Sequence, residues 1–418
     1  RIKQNPGPLG QFADYGEGYF IFPRLEGPIG PRMKFQGKEV IFWSANDYLG
    51  LCNHPEVLEA DAKAAAEYGM FYPMGARAMS GETEQHLQLE RELADFVGKE
   101  SAYLLNFGYQ GMLSTIDALV SRHDVIVYDS NSHACIVDGV RLHMGKSFMF
   151  RHNDMDSFEK NIKRATKVAE ENGGGILVIT EGVFGMTGQQ GKLKEIAEFK
   201  KQYSFRLLVD DAHGFGTLGK TGAGAGEEQG CQDQIDVYFS TFAKSMAGFG
   251  AFIAGNKEII RYLKFNLRSQ IFAKSLTMPM VIGGLKRLEL LRTRPEIKAK
   301  LWENVEKLQN GLVERGFNLG NSNTCVTPVF MQGTPVEATL LVKDLRENFG
   351  IFTSVVVYPV IPKGSILLRL IPTASHTDAE INETLAAFEA IHDKLVNGVY
   401  KQQAEKLLEE QNLSFKPL

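Results

Sequence analysis

Two short runs of polar residues follow apolar stretches and carry side chains that could do chemistry together. Residues 209–213 read VDDAH, which places two carboxylates and an imidazole after one predicted strand. Residues 240–244 read STFAK, which places hydroxyl groups and Lys244 after another. A lysine can form a Schiff base with an aldehyde cofactor, and an aspartate beside a pyridine nitrogen keeps it protonated, so that the ring becomes a better electron sink. The two runs therefore indicate a pyridoxal phosphate (PLP) site.

Each residue of these runs also has an ordinary structural interpretation. Carboxylates and a histidine at a strand end can cap the next turn, and a lysine such as Lys244 is usually a solvated surface charge. Both runs, however, follow predicted parallel strands, and open α/β sheets place their ligands at the carboxyl ends of such strands. This common location favours the cofactor site.

A competing motif lies directly after the first run. Residues 214–221 (GFGTLGKT) match the phosphate-loop pattern G-x-x-x-x-G-K-[ST], and their first six residues match the dinucleotide pattern G-x-G-x-x-G. Both motifs need a helix that begins at the loop, whereas residues 222–226 read GAGAG, a poor helix former. This context disfavours a nucleotide site, and a nucleotide-binding P-loop protein is kept as an alternative.

The elements that must position these residues alternate between strand and helix from residue 100 to residue 255. This alternation predicts an α/β fold with a doubly wound sheet. The apolar runs are continuous rather than alternating, which is typical of strands buried on both faces. The strand candidates are residues 102–106, 125–129, 147–150, 176–181, 206–210, 237–241 and 251–254.

The rest of the chain differs in character. Residues 1–45 are expected to form an N-terminal extended arm, and residues 46–285 the large cofactor-binding domain. Residues 286–418 are expected to contain a connector helix and a smaller C-terminal α+β domain. Within it, Thr377 and Glu380 form a capping-box signature for a helix. Further strand candidates are residues 324–331, 352–358 and 366–371, and the tail from residue 400 is polar.

Composition limits the classes of function. The chain has 418 residues, is 44% hydrophobic and carries a formal charge of -4 without a block of basic residues, which argues against nucleic acid as a partner. Its apolar runs are shorter than a membrane span, and its four cysteines lack metal-ligand spacing. We expect a cytoplasmic protein without a metal and with at most peripheral membrane contact. Because the sequence begins at Arg1, a short preceding targeting segment is left open.

The order of motifs resembles that of the α-oxoamine synthases, PLP enzymes of the type I aminotransferase fold. The resemblance extends from residues 45–51 (ANDYLGL) to residues 368–370 (LRL) and 375–377 (SHT). It implies a mostly parallel seven-stranded sheet with helices on both faces and a smaller C-terminal domain. It also implies the joining of a small amino acid to an acyl-CoA with loss of carbon dioxide, in a homodimer with shared sites.

The resemblance assigns roles to individual residues. Without it, His133 would be interpreted as an ordinary loop histidine, and Arg369 would be interpreted equally well as a salt-bridge partner. For the substrate carboxylate it implies Arg369 and, more weakly, Asn46. For catalysis it implies Lys244 and His133. For the cofactor it implies Lys244 (Schiff base), Asp210 (ring nitrogen), His213 (phenolate), His133 (ring stacking), Gly108, Tyr109, Gln110 and Thr241 (phosphate), and Ser275 and Thr277 (phosphate across the dimer interface).

Within the family, residues 240–247 and 266–272 resemble those of the serine palmitoyltransferases, which makes serine and palmitoyl-CoA the first expectation. Two positions depart from the usual pattern. Gly185 stands where a serine hydroxyl is usual, and Lys274 stands where a small neutral residue is usual. Lys274 either balances the cofactor phosphate or favours an amino acid with a further anion, such as cysteate for sulfonolipids. Glycine or alanine as the amino acid, an aminotransferase or amino-acid lyase, and a silent PLP-fold partner subunit stay as alternatives.

Overall fold

The computed structural model describes residues 16–357, 361 and 363–410. The bounds of its strands follow the chain. They are β1 (Leu25–Glu26), β2 (Arg32–Phe35), β3 (Lys38–Phe42), β4 (Ser101–Leu105), β5 (Val125–Asp129), β6 (Lys146–Phe150), β7 (Ile176–Glu181), β8 (Val183–Phe184), β9 (Gln189–Gln190), β10 (Arg206–Asp210), β11 (Val237–Thr241), β12 (Ala251–Gly255), β13 (Thr327–Gln332), β14 (Ile351–Phe352), β15 (Ser354–Val356) and β16 (Ser365–Leu370).

Helices connect most of these strands. They are α1 (Pro55–Tyr68), α2 (Glu84–Phe96), α3 (Gly108–Leu119), α4 (Ala134–Leu142), α5 (Met155–Asn172), α6 (Leu193–Glu198), α7 (Ala225–Glu228), α8 (Lys257–Asn266), α9 (Arg268–Ile271), α10 (Met278–Thr293), α11 (Pro295–Glu314), α12 (Pro335–Asn348), α13 (Asp378–Val396) and α14 (Val399–Glu410). Among the described residues, the helices are each too short or too polar to cross a lipid bilayer.

The chain divides into two compact units. One comprises residues 46–299, and the other combines residues 1–45 with residues 300–418. In the second unit the described part of the N-terminal segment is not the extended arm expected from its composition. Strands β1, β2 and β3 pair antiparallel, and β3 pairs parallel with β14, so that this segment is part of a four-stranded sheet.

The central sheet of residues 46–299 has seven strands in the order β4-β12-β11-β10-β7-β5-β6. The expectation of a mostly parallel seven-stranded sheet is confirmed, and the predicted strands agree with the observed bounds to within one residue. Strand β12 is the exception in direction, because it pairs antiparallel with both β11 and β4. Apolar periodicity is the same for either direction, so the sequence pattern could not reveal this reversal.

The core of this unit lies along the sheet and the helices packed on it. Ile126, Leu177, Leu208 and Ile253, which come from four different strands, are fully or nearly fully buried in one cluster with residues of α3 and α4. Strands buried in this way hold their carboxyl ends in fixed positions. The residues that follow those ends are therefore presented on a rigid edge.

The second unit contains a three-stranded sheet in the order β13-β16-β15. The capping box predicted at Thr377 and Glu380 is present at the start of α13. The expected strand over residues 352–358 is instead divided between β14 and β15, and residue 358 lies outside the described residues. The expected connector is two helices, α10 and α11, because Pro295 lacks the amide hydrogen needed to continue the first one. The polar tail begins as helix α14.

Candidate active site

Two buried carboxyl groups end neighbouring strands of the central sheet. Asp210 ends β10 and is in register with Glu181, which ends β7. Both residues are 5% exposed. Burial raises the pKa of Asp210, while the amide of Ala212, donating to its Oδ1 at 3.1 Å, and the charges of His133 and Lys244 lower it. Asp210 is thus a desolvated acid placed close to cationic partners.

Glu181 is a member of this cluster that the sequence analysis did not single out. Burial raises its pKa well above the usual range, and the neighbouring charge of Asp210 raises it further. The charge of Lys244 opposes both effects, as does the amide of His133, which donates to Glu181 Oε1 at 2.5 Å. In the sequence, Glu181 could have been recognised only as an acidic residue at the end of a continuous apolar strand.

Lys244 lies in a tight loop between β11 and β12. The loop is closed at its base by the amide of Phe242 donating to the carbonyl of Gly250 at 2.9 Å. Thr241 Oγ1 accepts from the amide of Ala243 at 3.2 Å and donates to the carbonyl of Gly250 at 3.1 Å. The side chain of Lys244 is half-buried and lowers the pKa of both buried acids, so these three groups form one electrostatic cluster.

A helix N-terminus lies beside Thr241. The first turn of α3 contains Gly108, Tyr109 and Gln110, whose amides have no acceptor within the helix by its geometry. A β-carbon added at Gly108 would be 3.1 Å from Thr241 Oγ1, so the hydroxyl and the start of the helix are nearly in contact. The residue before the helix is Phe107, whose side chain has no polar atom to cap it. Amide groups and a hydroxyl in this arrangement suit a phosphate.

His133 is the N-cap residue of α4 and is exposed. Its Nδ1 accepts a hydrogen bond from the amide of Cys135 at 3.3 Å, and its backbone amide is held by Glu181. The ring centroid of Tyr109 is 6.2 Å away in an edge-to-face arrangement. Hydrogen bonds therefore hold the backbone amide and Nδ1 of His133 while the residue stays exposed, which is compatible with stacking on a cofactor ring.

His213 is held by Tyr48, a second residue that the sequence analysis did not single out. The phenol oxygen of Tyr48 lies 2.6 Å from His213 Nδ1, and Tyr48 is fully buried. Gly185 lies on the Nε2 side of the same imidazole. The sequence does not reveal which residue contacts which ring nitrogen of His213, so this pairing required the structure.

Asp211 is a structural acid rather than a member of the cofactor cluster. Its Oδ2 accepts from the amide of Ala225 at 2.9 Å and from the hydroxyl of Tyr238 at 2.9 Å. A β-carbon at Gly214 or Gly224 would stand 2.1 or 1.8 Å from its oxygens, so these glycines permit the loop to close around the carboxyl group. Burial raises the pKa of Asp211 to about 7.

The same loop does not offer its amides to a nucleotide. The amides of Thr221 and Ala223 donate to Glu227 at 3.1 and 3.0 Å, and the amide of Gly219 donates to Glu228 at 2.9 Å. Carboxylates thus take the place that phosphate has in a phosphate loop. The helix that follows, α7, has only four residues.

Ser275 and Thr277, which were predicted to lie at a dimer interface, belong to a segment that is hydrogen-bonded to Gly75 of the same unit. Ser275 donates from its amide at 2.9 Å and from its hydroxyl at 3.1 Å to the carbonyl of Gly75. Thr277 is the N-cap residue of α10. The carbonyl of Lys274 accepts from Asn106 Nδ2 at 2.6 Å, just before the first turn of α3. This segment is therefore connected to the candidate phosphate site within one chain.

The two residues expected to bind a substrate carboxylate fall in different units. Asn46 is the first residue of the cofactor-binding unit and is half-buried. Arg369 lies on β16 of the other unit, opposite Pro328 and Ser354, and is also half-buried. Their role toward the substrate stays a prediction.

The groups on residues 46–299 fit PLP by their chemistry. The amides of α3 and the hydroxyl of Thr241 fit the phosphate, and Lys244 fits the aldehyde. The buried carboxyl of Asp210 lies among cations and fits a protonated ring nitrogen, which would offset the cost of its burial. The roles of the individual residues stay proposals from the resemblance, whereas their gathering at one sheet edge is a feature of the structure.

Comparison with known proteins agrees with this arrangement. The model of the aminotransferase class I and II family matches residues 38–388. Cysteate-C-fatty acyltransferase of Capnocytophaga ochracea is 66% identical over 409 residues, which cover 98% of this chain and 97% of that protein. Serine palmitoyltransferase of Sphingobacterium spiritivorum is 34% identical over 390 residues, covering 93% and 94%.

A solved structure of SPT with its PLP internal aldimine superimposes with a TM-score of 0.85 at 28% identity, covering 94% of this chain and 99% of that one. The expectations of a type I fold, of PLP as the cofactor and of kinship with the α-oxoamine synthases are confirmed. The cysteate enzyme shares more identity with this chain than the serine enzyme does.

Proposed function

Because the chain belongs to the aminotransferase class I and II family and, within it, to the PLP-dependent α-oxoamine synthases, we propose that it joins L-cysteate to a fatty acyl-CoA. The protein is a PLP-dependent C-acyltransferase. In the proposed reaction a bond forms between the amino-acid α-carbon and the acyl carbonyl carbon. CoA leaves as its thiol, the amino-acid carboxylate leaves as carbon dioxide, and the product is an α-amino ketone.

One observation carries the choice of cysteate. The named cysteate enzyme is 66% identical to this chain, whereas the named serine enzyme is 34% identical, and both align over nearly the full length. Serine with palmitoyl-CoA is the second candidate, supported by the similarity to SPT structures. The two amino acids differ in one group, since cysteate has a sulfonate where serine has a hydroxyl.

A sulfonate adds a negative charge that a binding pocket must stabilise. Lys274 supports cysteate because it adds a positive charge at a position where a small neutral residue is usual in the family. Its backbone carbonyl is bonded to Asn106 at the cofactor-phosphate side, and its ammonium lies 5.7 Å from the ring centroid of Phe71. A half-buried lysine whose ammonium lies near an aromatic ring carries a positive charge that can pair with an anion. We assign Lys274 to the sulfonate.

The proposed roles of the other residues follow their chemistry. When bound, PLP supplies an electron sink for the carbanion that forms at the amino-acid α-carbon. Asp210 holds the ring nitrogen protonated, and Lys244 or His133 removes the α-proton, after which Lys244 returns a proton to the product. Arg369 and Asn46 bind the substrate carboxylate. The first amides of α3, with Thr241, hold the phosphate.

Stoichiometry tests the reaction class. With cysteate and palmitoyl-CoA, the enzyme should release one CoA and one carbon dioxide for each α-amino ketone formed. A keto acid without CoA release would indicate an aminotransferase, and an amino-acid fragment without CoA release would indicate a lyase. Turnover that begins only after a second, different subunit is added would indicate a silent partner. Nucleotide binding that is lost in Lys220→Ala would support the phosphate loop.

A further inference from the structure

The turn that carries Lys244 ends in a backbone conformation that alanine disfavours. Ala247 has a φ of 43°, in the left-handed region where the β-carbon crowds the following carbonyl. Its amide donates to the carbonyl of Lys244 at 2.8 Å, and the next amide, of Gly248, donates to the carbonyl of Phe242 at 2.8 Å. The shape of the turn over residues 244–247 therefore depends on a residue that needs support from outside the turn.

An arginine of α10 gives that support. Arg287 Nη2 donates to the carbonyl of Ala247 at 3.3 Å. The same guanidinium binds Asp61 of α1 with two parallel contacts, from Nη1 to Oδ1 at 2.9 Å and from Nη2 to Oδ2 at 2.8 Å. Arg287 is 6% exposed. A two-pronged pair of this kind fixes the plane of the guanidinium, so that its position beside the Ala247 carbonyl is fixed as well.

A glycine in α10 leaves the space that this pair occupies. Gly283 precedes Arg287 by about one helical turn, and a β-carbon built on it would lie 1.8 Å from Asp61 Oδ1 and 2.4 Å from Arg287 Nη1. Any side chain at position 283 would therefore displace both partners. Glycine inside a helix lowers its stability, so its presence here indicates a requirement of packing.

We propose that Arg287 is a positioning residue for Lys244. Oriented by Asp61, it holds Ala247 in the left-handed conformation and so keeps the turn in the shape that directs the Lys244 amine toward the cofactor. This inference rests on the proposed role of Lys244 as the amine that reacts with the aldehyde of PLP. The role assigned to Arg287 is exerted through the carbonyl of Ala247 and not through contact with the cofactor.

The first test measures how fast the apoenzyme captures PLP. The Lys244 amine condenses with the PLP aldehyde, the aldehyde oxygen leaves as water, and visible absorbance appears. In Arg287→Gln the alanine loses its support, and the left-handed conformation should be populated about 10-fold less. At saturating PLP the rate of absorbance growth should fall by the same factor, because only that fraction is competent to react. Gly283→Ala, which displaces the ion pair, should also slow it.

The second test restores the turn without restoring the arginine. Glycine adopts the left-handed conformation without a steric cost. Ala247→Gly should therefore return the rate of Arg287→Gln to within about threefold of the parent, and should change the parent's own rate by less than about twofold. An ion pair that served only to pack α1 against α10 would give no such rescue. A parent-like rate in Arg287→Gln, or a slow rate that Ala247→Gly does not restore, would overturn the proposal.

A matched control removes a different ion pair from the same helix. Arg292 binds Asp95 with Nη1 at 2.9 Å from Oδ2. Arg292→Gln should capture PLP at the rate of the parent. An equal slowing in Arg292→Gln would assign the effect to α10 as a whole and would contradict the specific role of Arg287.

Two further variants keep the outcome decisive. If the visible absorbance persists in Lys244→Ala, the proposed role of Lys244 itself fails, whereas normal capture by Arg287→Gln in a protein that does need Lys244 refutes only the present inference. Should Arg287→Gln fold poorly because Asp61 loses its cation, Arg287→Lys keeps the charge without the planar fork. It should show slower capture and the same rescue by Ala247→Gly.

Discussion

At the scale of single residues, the candidate site concentrates acids that are costly to ionise without a cation. Asp210 and Glu181 end adjacent strands, burial raises the pKa of each, and the charge of Lys244 lowers both. A buried carboxylate is tolerated when a positive group accompanies it. The protonated ring nitrogen of PLP would be such a group beside Asp210. The acids thus favour the protonation state of the cofactor that catalysis requires.

Replacement of Lys244 tests this site against the competing phosphate loop. Lys244→Ala should lower turnover by at least about 10²-fold, because an amine that transfers the α-proton is lost, and should remove the visible absorbance of the bound cofactor. Lys220→Ala is the matched control, since Lys220 is exposed in the glycine-rich loop. Its acyltransferase rate should equal that of the parent. Retained activity in Lys244→Ala would refute the site assignment.

Lys274 provides a test of amino-acid choice. Lys274→Gln should raise the KM for cysteate by about 10-fold or more, the value of a charge-assisted contact, and leave the KM for serine within about twofold. Steady-state kinetics with both amino acids check this, with Lys257→Gln, an exposed lysine, as control. If Lys274 only balances the cofactor phosphate, the two KM values will change by the same factor.

The identity of most candidate residues could be predicted from the sequence, but their contacts could not. Lys244 and His213 were recognisable because their types and their positions after apolar strands are informative. Glu181 looks like any acid at a strand end, and only its register with Asp210 and its bond to the amide of His133 distinguish it. Tyr48 lies inside the motif of residues 45–51, yet its pairing with His213 spans 165 residues of sequence.

At the scale of elements, the glycine-rich loop after β10 is explained by the carboxyl group it encloses. Gly214 and Gly224 approach the oxygens of Asp211 more closely than any residue with a β-carbon could. The loop therefore resembles a phosphate loop because both structures wrap backbone amides around an anion. In this chain the amides of Gly219, Thr221 and Ala223 donate to the carboxylates of Glu228 and Glu227, which leaves the loop a structural role at the edge of the sheet.

The raised pKa of Asp211 predicts a pH-dependent stability. Its folded pKa of about 7 exceeds the ordinary value of 3.8, so its stabilising contribution is complete below about pH 4 and is lost as the pH rises through 7. Asp211→Asn lacks this contribution. In thermal unfolding of the holoenzyme, the Tm of the parent should exceed that of the variant by more at pH 5 than at pH 8. Between these pH values, the difference in free energy of unfolding between parent and variant should change by about 1 to 4 kcal/mol.

The control for that measurement is Asp233→Asn, because Asp233 is exposed. Its Tm should follow the parent at both pH values. An Asp211→Asn difference that stays constant between pH 5 and pH 8 would show that Asp211 does not titrate in this range.

Element bounds were predictable where burial imposes a clear pattern. The seven strands of the central sheet and the capping box of α13 follow from continuous apolar runs and from one Thr-x-x-Glu signature. The direction of β12 and the break at Pro295 between α10 and α11 were not anticipated. The direction of a strand within a sheet depends on how the chain connects it to its neighbours, and the period of its apolar residues is the same for both directions.

At the scale of the whole molecule, the N-terminal segment joins the unit formed by the C-terminal part of the chain. Strand β3 pairs with β14, and Arg32 binds Glu380 at 3.2 Å and Glu383 at 2.7 Å. These contacts span more than 300 residues of sequence. Composition suggested an arm here, because the segment that contains these short strands is rich in Gly, Pro and aromatic residues and shows no clear period.

The resemblance to the α-oxoamine synthases also implies a homodimer with shared sites. Large apolar side chains on two connected segments support this proposal, since Met70, Phe71, Met74 and Phe272 are 55–77% exposed. Contiguous exposed apolar surface usually marks an interface. In analytical ultracentrifugation we expect a dimer of 46.5-kDa chains and a shift toward monomer in Met74→Glu.

The matched control is Val396→Glu, which changes a residue of similar exposure at the end of α13. It should remain dimeric. A parent protein that sediments as a monomer at micromolar concentration would contradict the proposed dimer, and so would a Met74→Glu variant with unchanged mass.

The central claim is that this acyltransferase selects cysteate, and a competition between amino acids tests it most directly. Equimolar cysteate and serine are offered together with palmitoyl-CoA, and the two α-amino ketones are quantified by mass spectrometry in the first few per cent of reaction. Their ratio equals the ratio of the two kcat/KM values. We predict that the sulfonated product exceeds the hydroxylated one by about 10-fold or more, whereas an excess of the serine product would contradict the account.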